Sequence, residues 1–432
     1  MSEKIMRTIK LVYFSLIGFN LLTLLCYITN PFYAGAQHNH WLTVIYISLC
    51  ICMISLGFRS GVRNGEKKAY KGGYLMTNIS KRQLVFYYLI YISTFLLKYA
   101  YELKVPAFDF SALLSRVVIG VSNPLIGYKL SLDGSQVYSW SLYFIICLLD
   151  TFFFAINFLN WKKLSKFMKF IFMILLLLEI FRWLAAGTTF GIVMLVTSTV
   201  LAYCCNIETD YISKRSLFRV GLIIFGMFIV AILAFRLNML GRAGGDFSSH
   251  TMRQFSFNET SWIYKNVMGS LGEDTQNLFV YILFYLIGGY YNLEYAFSCD
   301  FDWCWFLGRN TALTNVTDNI LGMDIESLNY QTKIFQEFGV DPYIQWHSCY
   351  LWLANDFTLW GVPLIVFVIA HFTGSALTLY RKKNDMLSGL VFIVFATMII
   401  LFFANNNYMS NVFFPYIFIF TYWLLTRYVR IR

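Results

Sequence analysis

The side chains in this sequence best suited to chemistry are arginines placed where membrane topology does not require them. Arg236, Arg242 and Arg253 lie within FRLNMLGRAGGDFSSHTMRQFSFNETSW, with Gly241, Gly244 and Gly245 around the middle one. A guanidinium holds its charge across the physiological range and meets phosphate oxygens two at a time, so this group suits a phosphate or pyrophosphate anion. The glycines permit a tight turn whose N–H groups could face the same anion, although a plain turn after a helix would use them equally well. Pairing with Asp246 or Glu259 is the competing use of these arginines. Arg182, in LEIFRWLAAGTTFG, is a further candidate. It is either an anion ligand at the membrane surface or a snorkelling side chain paired with Glu179.

His347 opens HSCYLWLANDFTLWG, which also carries Asp356. An imidazole at that point can take a proton from a hydroxyl or partner a phosphate. Asp356 would orient it or cap the helix that follows. Asp246, Glu259 and Asp341 are the other candidate bases. Trp262, Trp303, Trp305 and Trp346 offer ring faces for stacking on sugars, or anchors for a membrane interface. The chain has no HExxH, Walker or GxSxG motif, and no Asp-x-Asp pair is assigned to a metal-held sugar nucleotide. No metal and no cofactor is therefore expected.

The elements that must position these groups are membrane helices. With 58% hydrophobic and 13% charged residues, the chain has too little polar surface to close a water-soluble globule. Apolar stretches of spanning length run over Leu11–Ile28, Trp41–Phe58, Leu84–Leu103, Tyr138–Phe158, Phe170–Ala186, Thr188–Tyr203, Val220–Leu237, Phe357–Tyr380, Met386–Ala404 and Val412–Thr426. The expected fold is all-α and polytopic, with about ten transmembrane helices. It divides into an N-terminal bundle (1–238), a large extracytoplasmic loop (239–346) and C-terminal spans (347–432).

The net charge of +11 belongs to short clusters: Arg59 to Arg82, Lys162 to Lys169, Lys214 to Arg219, Arg381 to Lys383, and the tail Arg427, Arg430 and Arg432. These alternate with basic-poor loops, which places the clusters and both termini in the cytoplasm and excludes nucleic acid as a partner. The loop from Met239 to Trp346 carries twelve acids against five bases and faces outward. Within it, Leu278–Phe297 reads as a helix lying in, or dipping into, the outer interface. The broken stretch Val105–Gln136 reads as a second re-entrant or amphipathic piece. Cys299 could bridge Cys304 or Cys349 on the oxidising side. The midplane is nearly uncharged and shows no internal symmetry, which disfavours a transporter.

This layout resembles the Wzy-type polymerases of O-antigen and other surface-polysaccharide repeat units, and more distantly the O-antigen ligases. The resemblance rests on the span number, one large late outward loop, outward arginines, the re-entry segment HSCYLWLANDFTLWGVPLIVFVIA, and an arginine separated by fifteen residues from a glycine, Arg253 and Gly269. It implies a GT-C-like, metal-independent glycosyltransferase of the bacterial inner membrane that makes O-antigen, capsule or exopolysaccharide. Its substrate would be an undecaprenyl-pyrophosphate-linked oligosaccharide, with a flippase and a chain-length regulator as partners. Arg182, Arg236, Arg242 and Arg253 would hold the pyrophosphate, with Arg242, Arg253 and His347 catalytic. A ligase-type transferase and a non-enzymatic glycolipid flippase remain the alternatives.

Overall fold

The computed structural model describes residues 3–30, 32–34, 39–71, 77–106, 108–133, 140–206, 233, 236, 255–257, 261–267, 270, 272–340, 347–404 and 413–428. It is a helical membrane protein. Four described helices are long and apolar enough to cross a bilayer: Ile5–Ile28, His40–Tyr70, Lys81–Leu103 and Cys349–Lys383. Shorter apolar helices pack among them. Beyond the helices, a three-residue ribbon pairs β1 (Phe32–Ala34) antiparallel with β2 (Phe255–Phe257) and ties the first loop to the acidic one.

The helices up to β2 are α1 (Glu3–Ile28), α2 (His40–Lys71), α3 (Lys81–Leu103), α4 (Phe110–Ser122), α5 (Pro124–Asp133), α6 (Trp140–Asp150), α7 (Phe153–Leu159), α8 (Lys166–Ala185) and α9 (Phe190–Asn206). Those after it are α10 (Trp262–Asn266), α11 (Glu273–Ala296), α12 (Thr311–Leu321), α13 (Ile325–Leu328), α14 (Tyr330–Phe338), α15 (Cys349–Lys383), α16 (Met386–Ile400) and α17 (Phe413–Tyr428). Local chemistry sets several boundaries. Ser80 and Gln83 form a reciprocal capping box at the start of α3, and Ser165 caps α8. Gly187, at φ +65°, makes the tight turn from α8 to α9. A Cβ there would collide with the backbone of Pro124 and Tyr128, so a larger residue would push α5 off the turn.

The central feature is a seam between α2 and α15. Gly57, Gly61 and Gly65 recur every fourth residue on α2 and face Phe367, His371 and Ser375, whose carbonyl oxygens lie where side chains would start. Gly374 returns the contact against Phe58 and Val62. Lipid tails are as apolar as any helix surface, so association inside a bilayer depends on close packing, which these small residues provide. The helices run in the same direction, with Tyr46 against Tyr350 at one end and Gly65 against Ser375 further along.

Three sequence expectations change here. Arg59, Arg63, Lys67, Lys68 and Lys71 are not in a loop, because α2 continues through them. Backing by α15 keeps that stretch helical despite its charge. Arg427 is not a free tail charge: its guanidinium forms two bonds to Asp385, 3.0 Å from Nε and 2.6 Å from Nη2, and both side chains are fully buried. Asp385 also caps α16 and accepts from the N–H and hydroxyl of Thr77. The stretch Tyr138–Phe158 is not one continuous helix, since α6 and α7 break at Thr151–Phe152.

Leu278–Phe297, expected as a helix lying in or dipping into an interface, is helical within α11 up to Ala296. Thr23 meets Tyr290 at 3.0 Å and Tyr27 donates to Glu294, the same four-residue step on each helix, so α11 runs alongside α1 in the same direction. Val105–Gln136 is broken as expected, into α4 and α5. Gly120 and Gly127 press on Ala185 of α8, and buried Arg116 donates to the carbonyls of Leu103 (3.3 Å) and Gly127 (2.8 Å). Val220–Leu237 lies outside the described residues apart from two positions.

Candidate functional site

Arg182 is 1% exposed. Its Nε and Nη2 donate to Glu179 at 3.0 and 2.6 Å, it also pairs with Glu102, and the guanidinium stacks 4.2 Å from the Trp183 ring. Lys98 reaches Glu179 from α3 at 3.2 Å, and the nearby buried Asp150 accepts from Thr94 at 2.7 Å. The pairing alternative is therefore the observed one. A guanidinium spent on two carboxylates and shut from solvent has no face for pyrophosphate, so Arg182 leaves the ligand set. Lys98, Glu102, Asp150, Glu179 and Arg182 come from three helices, and their separation in sequence had hidden the cluster.

A second arginine–carboxylate pair lies where α15 begins. Asp356, 4% exposed, accepts from the backbone N–H of Gly308 (3.0 Å) and Arg309 (3.2 Å) and from Arg309 Nη1 (3.3 Å). Asn355 beside it donates to the Gly308 carbonyl and to Gln331, each at 2.9 Å, and accepts from the N–H of Tyr330 at 3.0 Å. Cys304 donates its N–H to the Asn355 carbonyl at 3.3 Å. Two consecutive residues of α15 thus hold the whole segment Cys304–Gln331 by polar contacts, and Asp356 acts on this loop rather than on His347.

That segment carries the aromatic surface. Trp303 and Trp305 lie with ring centroids 4.5 Å apart, Trp303 meets Phe306 edge-on, and all three are exposed. Phe306 packs 5.5 Å from Phe357. Backbone strain gathers at the same place. Among the described residues, five non-glycine positions have positive φ, and two of them, Lys104 and Asn384, are ordinary left-handed helix caps. The other three are Trp305 (φ 55°), Phe306 (φ 61°) and Thr358 (φ 62°). Each costs roughly 1–3 kcal/mol and persists only because its surroundings hold it. Thr358, β-branched and at ψ 159°, breaks α15 into a short leading helix and the long span. The long part beyond Thr358 carries the span expected over Phe357–Tyr380.

His347 is fully buried, and neither ring nitrogen has a hydrogen-bond partner among the described residues. Burial pushes its pKa down to about 3, so the ring is neutral. It sits where the start of α15 meets the end of α16: Cys349 donates to the Phe402 carbonyl at 2.9 Å, and Gly289 of α11 touches Ser348 and Phe403. A base must touch the hydroxyl it deprotonates. In this structure His347 is walled off, which corrects its placement as a surface base.

Arg236 is exposed. Arg242, Arg253, Asp246, Glu259, Asp341 and Trp346 lie outside the described residues, and Trp262 is exposed on α10. The expected bridge from Cys299 is not formed: Cys299, Cys304 and Cys349 are free and buried, with Cys299 near Glu337 (3.7 Å) and Cys304 near Asn329 (3.3 Å). Burial beside these groups raises the Cys299 and Cys304 thiols to about 12, which keeps them protonated. Sequence reasoning passed over Arg309, one of five bases in the acidic loop, and over the Asp-x-Asp spacing of Asp300 and Asp302. Asp302 pairs with Lys333 at 2.6 Å, and the described residues contain no cluster of three or more metal-ligating side chains. No protein-family model, curated protein or solved structure matches the chain.

Proposed function

We propose that this protein is a membrane glycosyltransferase that polymerises undecaprenyl-pyrophosphate-linked oligosaccharide repeat units at the outer face of the bacterial cytoplasmic membrane. This reading carries about ten spans of GT-C-like character and cytoplasmic termini. The observation behind it is the strained aromatic surface of Trp303, Trp305 and Phe306, braced by Arg309 and Asp356 at the mouth of the bundle. Flat exposed rings suit the apolar faces of sugars. A cation beside them suits the diphosphate leaving group, whose charge grows as the glycosidic bond to it breaks. Arg309 joins Arg236, Arg242 and Arg253 in that role, and Asp246, Glu259 or Asp341 accepts the hydroxyl proton. The acceptor is a second lipid-linked repeat unit, and membrane lipid delivers both.

The test is complementation in a strain lacking its own copy of the gene, using Arg309→Ala, Arg253→Ala and Trp305→Ala. Loss of long polymer with accumulation of single lipid-linked repeats is the expected result. Chain-length ladders equal to wild type from all three variants would remove the proposal. A glycolipid flippase is kept as the second reading because of the buried charges around Arg182, since ionisable groups inside a bundle often mark a transport path. Purified protein in vesicles separates the two: polymer from lipid-linked repeats marks the transferase, and translocation without polymer marks the flippase.

A further inference from the structure

The basic end of α2 is more than a topological signal. Leu56, Arg59, Ser60, Arg63, Asn64 and Lys67 line a cavity of about 400 Å³. Its back wall is fixed by His371 of α15, which meets Ser60 at 3.2 Å through Nδ1 and Asn64 at 3.1 Å through Nε2. The glycine seam behind holds the two helices in backbone contact, so the wall is rigid. Of the three cations, Arg59 rests on the Tyr13 ring at 5.1 Å. Among the described residues, none of the three has a carboxylate partner. Glu66, the nearest acid in sequence, is directed to Lys382.

The surface leading into the cavity is apolar. Ile45, Leu49, Cys52 and Leu56 occupy one exposed face of α2, and the same face continues into Arg59, Arg63 and Lys67. From Ile45 to Leu56 the helix rises about 17 Å at 1.5 Å per residue. That is close to half of a hydrocarbon core about 30 Å thick, the reach of one leaflet. An acyl-chain track one leaflet long that ends in three cations is complementary to an amphiphile, not to a free ion. We infer that this cavity binds the phosphate headgroup of an anionic phospholipid from the cytoplasmic leaflet, with its acyl chains along Ile45–Leu56.

The test uses the full-length protein in neutral detergent and reads its thermal unfolding with added dioleoyl phosphatidylglycerol, dioleoyl phosphatidylcholine or soluble glycerol phosphate. Phosphatidylglycerol is expected to raise the midpoint by several degrees, and the other two are expected to leave it in place. The double variant Arg63→Gln, Lys67→Gln changes two exposed side chains and should lose most of that shift. Removing two charges of the same end outside the cavity, Lys81→Gln with Arg82→Gln, should keep it. Equal shifts in the two double variants would mean diffuse attraction to basic charge and overturn the inference. So would a full shift with glycerol phosphate, which would mark a free-phosphate site, or no shift in the wild type.

Discussion

Arg182 and Arg309 are both arginines paired with carboxylates, and they have opposite surroundings. Arg182 is 1% exposed and divided between Glu179 and Glu102. Arg309 is 22% exposed and shares Asp356 with two backbone N–H groups. The first ties α3 to α8 from within the bundle, held between two carboxylates and the Trp183 ring. The second props a strained loop whose aromatic side chains face outward. Residue type is the same for both, and each meets a buried carboxylate. What differs is whether the rest of the fold closes over the guanidinium, and that decides whether it serves stability or a ligand.

The largest separation between them should come from truncation. Arg182→Leu removes the cation shared by Glu179 and Glu102 from within the bundle and should cost about 3–5 kcal/mol, seen as loss of folded protein in fluorescence-detected size exclusion. A monodisperse, normally expressed Arg182→Leu variant would mean that this network is not structural. Arg309→Ala should leave folding near wild type and lower polymer formation about a hundredfold, the usual scale for removing one charge-stabilising donor. Unfolding of Arg309→Ala comparable to Arg182→Leu would merge the two classes.

His347 sharpens the contrast through pH. Its folded pKa of about 3 lies below the ordinary 6.5, so burial of the neutral ring contributes stability that is full above 6.5 and is lost as pH falls toward 3. The slope approaches about 1.4 kcal/mol per pH unit within that window. Thermal unfolding between pH 7.5 and 4.5 should show it, and His347→Leu should flatten it. A wild-type profile matched by His347→Leu would mean that the ring is hydrated. The smallest effect is expected at the break in α15. Thr358→Gly relieves a positive φ and should stabilise by about 1 kcal/mol while reducing activity several-fold, because the aromatic loop loses its fixed footing. Stabilisation with unchanged activity would make the strain incidental.

The acidic loop shows how far the sequence could be read. Trp303 and Trp305 were picked out in the sequence as rings for stacking or anchoring, and the structure exposes both. Arg309 was not, because one arginine in LGRNTAL carries no pattern and gains meaning only when Asp356, far along the chain, arrives beside it. His347 misled for the inverse reason: its position at a loop–helix junction suggests exposure, while Gly289 and Phe402–Phe403 close around that junction from distant segments. The glycines at 57, 61 and 65 were visible as a four-residue repeat, but their basic neighbours drew the reading toward a loop.

The sequence by itself determined that this is a multi-pass helical membrane protein, because apolar length and charge spacing are local quantities that a bilayer reads directly. It also determined the turn at Gly187, where a few adjacent residues set the backbone. Only the tertiary structure decided which charges are spent inside and which remain available. Glu102 and Lys98 reach the Arg182–Glu179 pair from another helix, the partners of Arg309, Arg427 and Asp150 come from distant segments, and burial of an ion is a property of everything that surrounds it.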